Sequence, residues 1–366
     1  MPCHTIVHRQ DWFLEEGYRA RTDREELGFL DRSFELHFNE RPFLNHFSYL
    51  FITRTTKERM RQQSNFSVLC RGHILPREVR DKDGVLRFLE AVEQFERIIR
   101  DSGLVRLERL TTEEITGKGK EAGLVEKYFS LSQEDTTTLE DIRLGGAEMR
   151  VGDKRLSVHT LSEADDLPAA VRTDGRFEKY STDRSDCRLS FAAPVGLMLP
   201  HNHICNLYVF IDDPAETLRN FEKAARNMRS LSRYSRANEI NRQWTEEYLN
   251  EAHSFGLVPV RCHCNVMAWS EDRERLRNIR NDTGSALAQM GCKPRHNTVD
   301  APTLYWAASR REGDFPAEES FHTFIEQAAC LFIGRRTTPP PSLPSASRWR
   351  TGSVAGPSIW TSRTSR

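Results

Sequence analysis

The sequence predicts an α+β fold, with a layer of helices packed on a β-sheet in a sandwich-like arrangement and a disordered basic tail at the C-terminus. Strand-like and helix-like patterns alternate from residue 206 onward, which favours a sheet covered by helices. Apolar residues make up 38% of the chain and charged residues 29%, as in a soluble protein with a hydrophobic core. Residues 335–366 contain six Arg and no Asp, Glu or Lys, a composition that cannot form a core.

The first half of the chain contains a strand, a helix and a hairpin. The aromatic and β-branched residues of "FSYLFIT" (47–53) indicate the strand. Pro76 opens a helical pattern whose apolar residues recur every three or four positions, at Val85, Phe88, Leu89, Val92, Phe95, Ile98 and Ile99. Residues 147–161 predict a hairpin that turns at Gly152 and Asp153, and residues 117–123 and 162–186 predict loops.

The pattern is clearer after the strand "NLYVFI" (206–211). Asp213 is placed as a helix N-cap, with Pro214 at the first helical position and Glu216 in place for a capping box. One long helix is predicted from there to about His253, and Gly256 ends it.

Four further elements follow. They are a strand over 257–269, a helix capped by Ser270 that runs to about Met290, a strand at "TLYWAA" (303–308) and a helix over 316–331. The chain is thus divided into an N-terminal α+β region (5–200), a β-α-β-α-β-type region (201–334) and the tail (335–366).

Charge and cysteine content limit the classes of function. The formal net charge is zero, because the tail carries +6 and residues 1–334, with 47 basic and 53 acidic side chains, carry −6. Bulk charge therefore gives no case for nucleic-acid binding. The eight cysteines show no disulfide framework and the N-terminus has no signal peptide, so a cytosolic protein is expected. The longest apolar stretch, 191–200, is about half of a membrane span, so any membrane association is peripheral or through partners.

Two segments resemble metal-binding motifs. "RCHCNVMAW" (261–269), with Cys292 and His296 downstream, contains zinc-ligand residue types, and "HNHIC" (201–205) contains two histidines. On a strand, however, Cys262 and Cys264 share a uniformly apolar face and His263 points the other way. The favoured interpretation is two buried cysteines that behave as small hydrophobic residues.

"LYVFIDD" (207–213) resembles the Mg²⁺-holding strand of a nucleotide-binding protein. That interpretation needs a phosphate-binding loop, and no Gly-Lys-Ser or Gly-Lys-Thr occurs anywhere in the chain. The favoured interpretation is that the strand ends at Asp212 and that Asp213 caps the next helix. With no recognisable nucleophile motif either, the sequence predicts no catalytic, cofactor-binding or metal-binding residues.

A basic stripe is predicted on the long helix, formed by Arg219, Arg226, Arg229, Arg233 and Arg236. The other face of that helix is predicted to carry Leu218, Phe221, Ala225, Met228, Ile240 and Trp244. Such a stripe is more often a solvated face, or a set of partners for acidic side chains, than a phosphate-binding site. A DNA-binding module that uses Arg226–Arg236 stays open as an alternative.

Long stretches of the sequence resemble the N-terminal region of TraG-type conjugation ATPases, which Bacteroidetes-type conjugative transposons encode. They include "QDWFLEEGYR" (10–19), "FNERPFLNH" (38–46), "TTKERMRQQSNF" (55–66), "RFLEAVEQFERII" (87–99), "STDRSDCRLSFAAPVGL" (181–197), "EAHSFGLVPVRCHCNVMAW" (251–269), "GCKPRHNTVDAPTLYWAA" (291–308) and "GDFPAEESFHTFIEQAACLF" (313–332). Together they cover nearly all of residues 5–334.

The resemblance implies an ATPase of a type IV secretion system at the cytoplasmic face of the inner membrane. Such a protein uses ATP and Mg²⁺ in a C-terminal motor domain, usually as a hexamer, to power assembly of the transfer channel. Its N-terminal region docks onto channel subunits and neighbouring copies. The phosphate-binding loop lies beyond the stretch that this chain resembles, so the chain is not expected to hydrolyse ATP alone.

The chain departs from the family in three places. It begins at Met1 within what is a longer N-terminal region in the family, "ASRREGD" (308–314) replaces an apolar-Pro-Gly connection, and the resemblance stops after Gly334. GC-rich DNA read in a wrong frame yields an Arg-, Pro-, Ser- and Thr-rich peptide, and we hypothesise such a frameshift near Gly334. The alternative is a stand-alone, non-enzymatic scaffold or docking protein of the transfer apparatus.

Overall fold

The computed structural model confirms the α+β fold. The residues that it describes are 3–16, 28–30, 32–33, 43–56, 81–103, 105, 107–132, 140–143, 148–171, 175–176, 178, 181–184, 188–196, 198–231, 234–310, 319–333, 348–353 and 358–363. The predicted helix start at Pro76 lies outside these residues, and the helix that follows begins at Lys82.

The described residues contain strands and helices mixed along the chain. The strands are β1 (Cys3–Glu16), β2 (Phe43–Thr56), β3 (Glu108–Arg109), β4 (Ile142–Arg143), β5 (Met149–Val151), β6 (Lys154–Leu161), β7 (Gly175–Arg176), β8 (Arg188–Leu189), β9 (His203–Ile211), β10 (Pro259–Ser270), β11 (Arg295–Asn297), β12 (Phe321–Phe324), β13 (Arg348–Ser353) and β14 (Ser358–Arg363). The helices are α1 (Lys82–Asp101), α2 (Thr112–Thr116), α3 (Leu124–Ser130), α4 (Ala193–Gly196), α5 (Pro214–Leu231), α6 (Arg236–Phe255), α7 (Arg273–Gln289), α8 (Ala301–Arg310) and α9 (Ile325–Ala329).

One antiparallel sheet organises the fold. Its strands follow the order β2-β1-β9-β10-β6-β5-β4, while β11 pairs with β6 and β12 pairs with β10. The pairing of β1 with β9 runs from Thr5 opposite Ile211 to Phe13 opposite His203. Strands from both sequence regions, 5–200 and 201–334, therefore share this sheet.

Helices cover both faces of the sheet. On one face, Trp12, Met267 and Phe210 belong to the same buried cluster as Tyr128 of α3 and Tyr305 of α8. On the other face, residues of β9 and β10 cluster with residues of α4, α7 and α9. Eight consecutive residues of β9 are buried, which explains why its sequence is an almost continuous apolar run instead of an alternating one.

The predicted long helix is in fact two helices. Its start is confirmed, because the Asp213 carboxylate accepts hydrogen bonds from the backbone N–H groups of Ala215 (2.9 Å) and Glu216 (3.3 Å). Its end is confirmed too, since Gly256 has the positive φ, 64°, that favours glycine. Between them, α5 ends at Leu231 and α6 begins at Arg236, so the chain folds back into an antiparallel helical hairpin. The polar sequence "SLSRYS" (230–235) favours a turn there.

Two predicted elements of the last third were wrong. Residues 303–308 lie in α8 and not in a strand, because Asn297 accepts the N–H of Asp300 (2.9 Å) at the start of that helix. Within its described part, 319–331, the predicted helix over 316–331 is also largely replaced: β12 pairs with β10, and the α-helical residues there are Ile325–Ala329. Short apolar runs do not separate strand from helix by periodicity alone.

Of two smaller predictions, the hairpin turn is confirmed and the helix cap at Ser270 is wrong by two residues. The hairpin of β5 and β6 turns at Gly152, whose φ is 57°. The cap of α7 is Asp272, two residues after the predicted Ser270; the Asp272 carboxylate accepts the backbone N–H of Glu274 at 3.0 Å.

Part of the tail is in strands. Strand β14 pairs with β2 from Ser358 opposite Ile52 to Arg363 opposite Phe47, and β13 pairs with β14. A composition-based prediction of disorder does not account for these two strands. The outer edge of β2 provides unpaired backbone groups, to which a Thr-, Trp- and Ile-containing segment adds a strand. The other residues of 335–366 lie outside the described part.

The packed part of the chain extends to Ile333. Arg9 of β1 donates a hydrogen bond to the Ile333 carbonyl oxygen, and its guanidinium lies 5.2 Å from the centre of the Phe332 ring. Arg9 also pairs with Asp11 at 2.8 Å, and His46 lies 3.0 Å from the same carboxylate. Burial raises the pKa of Asp11, but Arg9 and His46 outweigh burial and hold that pKa below its ordinary value. We refer to Arg9, Asp11, His46 and Ile333 as the Arg9 anchor.

Candidate functional site

The cysteines of "RCHCNVMAW" are in the sheet core, as the alternation predicts. Cys262 is fully buried and belongs with Cys264 to the cluster under α7. Burial raises the pKa of the Cys264 thiol to about 12 and that of Cys292 to about 11, so both stay protonated at neutral pH. No group of three or more His, Cys, Asp or Glu within the described residues is arranged to hold a metal ion.

The opposite face of β1, β9 and β10 carries a buried row of polar side chains that the sequence analysis missed. Gln10, Asn206 and Asn265 lie side by side in register across the three strands, and each is at most 1% exposed. The Gln10 amide donates to Asn206 Oδ1 (2.9 Å), and the Asn206 amide donates to Asn265 Oδ1 (2.9 Å). His8 Nε2 donates to the same Asn206 oxygen at 3.0 Å.

The direction of every hydrogen bond in this row follows from one group. The Trp12 indole N–H can only donate, and it donates to Gln10 Oε1 at 2.8 Å. Gln10 and the two asparagines are thereby oriented, so the Asn265 amide donates to His263 Nε2 (2.9 Å). His263 therefore carries its proton on Nδ1, which donates to the Glu319 carbonyl oxygen at 2.5 Å. We call this row, from Trp12 to Glu319, the polar chain.

The polar chain is a structural element and contains no reactive group. Burial lowers the pKa of His263 to about 4, so the ring is neutral at physiological pH. Its members are amides, an indole and a neutral imidazole, whose hydrogen bonds hold β1, β9 and β10 in one register. The signal that predicts such a row is a polar residue at a buried strand position, here Asn206 at the start of "NLYVFI" and Asn265 within "CHCNVM".

The two aspartates of "LYVFIDD" have the structural roles that the sequence favours. Asp212 pairs with Arg261 at 2.9 Å, and Asp213 caps α5. With Glu216, Phe221 and other residues they line a cleft of about 380 Å³ at the end of β9. Because one carboxylate pairs with an arginine and the other caps a helix, neither is arranged as a Mg²⁺ ligand.

The helical hairpin of α5 and α6 carries several exposed large apolar side chains. Its base is fixed to the sheet, where the Tyr248 ring stacks on Phe324 (4.5 Å) and contacts Phe221 (4.9 Å). The Tyr248 hydroxyl donates to the Thr323 carbonyl oxygen at 3.3 Å. Away from this base, none of the described residues between 226 and 247 is buried. The hairpin therefore projects from the body of the protein.

Large side chains are exposed on the projecting part. Leu231 is 50% exposed and Tyr234 is 85% exposed at its end, while Ile240 and Trp244 are 39% and 53% exposed along α6. Exposed clusters that combine Trp, Tyr and Arg are typical of interaction surfaces.

The predicted arginine stripe does not run along one helix. Arg219, Arg226 and Arg229 lie on α5, Arg236 begins α6, and Arg233 lies outside the described residues. Ile240 and Trp244, predicted on the opposite face of the same helix, belong instead to α6 and are exposed.

Acidic residues of α6 face some of these cations. Arg229 pairs with Glu246 at 3.2 Å across the hairpin, and Arg242 pairs with both Glu239 and Glu246. Hydrogen bonds from Arg242 lower the pKa of Glu246, so this carboxylate is ionised. The Arg229–Glu246 pair joins the two helices above the base of the hairpin, whereas the pairs of Arg242 lie within α6.

Comparisons with known proteins leave the function to be argued from the residues themselves. No protein-family model matches the chain, and no curated protein matches it. None of the helices within the described ranges is both long enough and apolar enough to cross a bilayer.

Proposed function

We propose that this chain is the partner-docking and assembly region of a TraG-type conjugation ATPase, the N-terminal part of a type IV secretion motor. The proposal rests first on the long stretches of residues 5–334 that resemble that family. It places the protein at the cytoplasmic face of the inner membrane, bound to subunits of the transfer channel. In the longer protein, ATP and Mg²⁺ are used by a separate motor domain.

The observation that carries a docking role is the exposed side of the helical hairpin. Ile240 and Trp244 are one helical turn apart, so they form one apolar patch on the surface of α6. Tryptophan side chains on such a patch often supply most of the binding free energy of a protein interface. In the part of the chain that the structure describes, both side chains are exposed, and the ring contacts of Tyr248 with Phe221 and Phe324 lie at the base of the hairpin.

The docking role predicts loss of partner binding when the patch is removed. The double variant Ile240→Ala, Trp244→Ala is expected to weaken binding to the cognate channel subunit at least tenfold, because a buried interface Trp typically contributes about 2 kcal/mol or more. The measurement is an affinity titration with each purified channel subunit of the same conjugative element. Phe255→Ala is the matched control, since Phe255 is an exposed aromatic residue at the other end of α6.

Two results would argue against this role. If the double variant binds as tightly as the parent, the patch is not the docking surface. If the parent binds none of the channel subunits, the assignment to the transfer apparatus loses its support.

A stand-alone scaffold and a motor fragment are distinguished by sequencing the coding DNA beyond the codon for Gly334. A continuing frame that contains G-x-x-x-x-G-K-[ST] indicates a motor fragment.

Nucleic-acid binding is the second candidate, favoured by the cations of the hairpin. Arg226, Arg229, Arg233 and Arg236 lie within eleven consecutive residues that contain no acid. If these arginines bind DNA, the affinity falls steeply with salt and is lost in the double variant Arg229→Glu, Arg233→Glu. A filter-binding titration between about 50 and 200 mM salt measures this. Unchanged binding by the variant would exclude the hairpin as the DNA site.

A further inference from the structure

The end of the helical hairpin differs in charge from the rest of the protein. Residues 226–238, which we call the hairpin tip, contain four Arg and no Asp or Glu. Residues 1–334 as a whole carry six more acidic than basic side chains, so a cationic tip projects from an acidic body. A large negatively charged surface is attracted by such a tip and repelled by the body, which orients the molecule tip first.

Apolar side chains occupy the same tip. Leu231 is the last residue of α5, and Tyr234 lies in the turn that follows it. Both are among the most exposed large side chains of the described residues, at 50% and 85%. Tyrosine is enriched at membrane–water interfaces, and arginine beside exposed apolar residues is the composition of segments that bind at the surface of a bilayer.

The tip is far enough from the body to reach a flat surface. Tyr248 fixes the base, and twelve residues of α6 lie between it and the turn at Ser235. At a rise of about 1.5 Å per residue the tip extends roughly 20 Å beyond that base. A surface can therefore contact the tip without contacting the acidic body.

The size of the tip favours a lipid surface over a protein. Two helix ends lie side by side at an interaxial distance of about 8–10 Å, so their common end is much smaller than the roughly 800 Å² per partner of a stable protein interface. A bilayer needs no matching surface of that size, because each basic residue interacts with headgroup phosphates and each apolar side chain enters the interfacial layer.

From these observations we infer that the hairpin tip binds anionic phospholipid surfaces. The exposed Arg226 and Arg236 bind headgroup phosphates, and Leu231 and Tyr234 insert between the headgroups. This contact is separate from the docking patch at Ile240 and Trp244, which lies on the side of α6. It adds a direct membrane attachment to one made through channel subunits.

Vesicle binding by the full chain tests the inference. The protein is mixed with vesicles of phosphatidylcholine alone, or of phosphatidylcholine with about 30% phosphatidylglycerol, and the bound fraction is measured by flotation. We expect binding to the anionic vesicles only. The double variant Arg226→Glu, Arg236→Glu is expected to lower the apparent affinity at least tenfold, since each cation near the surface contributes about a factor of five. Both side chains are exposed, and a glutamate at the first position of α6 favours the helix.

Two further variants separate the lipid from other anionic partners. Leu231→Ser with Tyr234→Ser keeps every charge, and we expect it to lower vesicle binding at least threefold because the inserting side chains are lost. Arg277→Glu on α7 is the matched control, an exposed arginine away from the hairpin, and is expected to bind as the parent does.

The inference fails if the parent binds both kinds of vesicle equally, or neither kind. It also fails if the arginine variant binds like the parent. If duplex DNA binds the parent and the Leu231, Tyr234 variant equally well while vesicles bind neither, the tip is a nucleic-acid surface and not a lipid surface.

Discussion

Replacing Asn206 with leucine is expected to lower the free energy of unfolding by about 3–5 kcal/mol. Asn206 accepts hydrogen bonds from His8 and Gln10 and donates one to Asn265, and all four side chains are buried. Leucine fills a similar volume but leaves those three partners without their hydrogen bonds to this residue. Each buried polar group that loses its partner costs about 1–3 kcal/mol. Urea unfolding at pH 7 measures the change.

The control for this substitution is Asn278→Leu. Asn278 is exposed on α7, so its replacement is expected to change the free energy of unfolding by less than about 0.5 kcal/mol. A loss below about 1 kcal/mol for Asn206→Leu would show that the polar chain contributes little to stability. We expect a lower urea midpoint for Asn206→Leu. The slope of the unfolding free energy against urea concentration should stay the same, because the same surface is exposed on unfolding.

Mild acid is expected to destabilise the protein by about 4.5–6 kcal/mol between pH 7 and pH 5. His159, His203 and His263 are each at most 4% exposed, and burial is the main cause that lowers the pKa of each to about 4. The unfolded chain binds a proton at each of these residues near the ordinary pKa of 6.5, whereas the folded chain does not. Linkage then gives a loss of about 1.5–2 kcal/mol per histidine over this pH range.

The sign follows from the depressed pKa values of the folded state. Stability from these neutral histidines is fully present above pH 6.5 and is lost progressively as the pH falls toward 4. For His263 the structural reason is explicit: a proton on Nε2 would face the donating amide of Asn265, and the polar chain has no acceptor to offer it. Denaturant midpoints at half-unit intervals of pH test the prediction.

A variant that cannot titrate isolates one histidine. His159→Leu is expected to reduce the loss between pH 7 and pH 5 by about a third, whatever its effect at pH 7. Asn278→Leu, a replacement at an exposed position with no titrating group, is the control and is expected to leave the pH dependence as in the parent. A free energy of unfolding that stays constant from pH 7 to pH 5 would mean that the three rings are already charged in the folded protein.

The sequence predicts the elements whose ends are set by local chemistry. Asp213 and Gly256 define the start of α5 and the end of α6 through a cap and a positive φ, and both are properties of a single residue type. The turn between α5 and α6 has neither glycine nor proline. Its serines favour a turn, but no single residue type marks the reversal as a cap or a glycine would, so the pattern is easily taken for one continuous helix.

Long-range contacts explain what sequence reasoning missed. "TLYWAA" has the composition of a strand, but Leu304 and Ala308, one turn apart, are both fully buried in the core that includes α3. The polar chain depends on the register of three strands that are distant in sequence, and no local pattern specifies that register. The sequence predicts one long helix that carries both the arginine stripe and the apolar face. It therefore identifies the residues of the helical hairpin but misses the reversal between α5 and α6.

The Arg9 anchor also determines which strand of the sheet bears a force applied beyond Ile333. It connects Ile333 directly to β1, which has β2 on one side and β9 on the other. A force applied to the chain after residue 333 is therefore transmitted to an interior strand of the sheet, whose two ladders of hydrogen bonds resist it together. Were Ile333 attached to an edge strand, the same force would open one ladder at a time. The sheet can thus act as a rigid support against a force applied to the chain after residue 333.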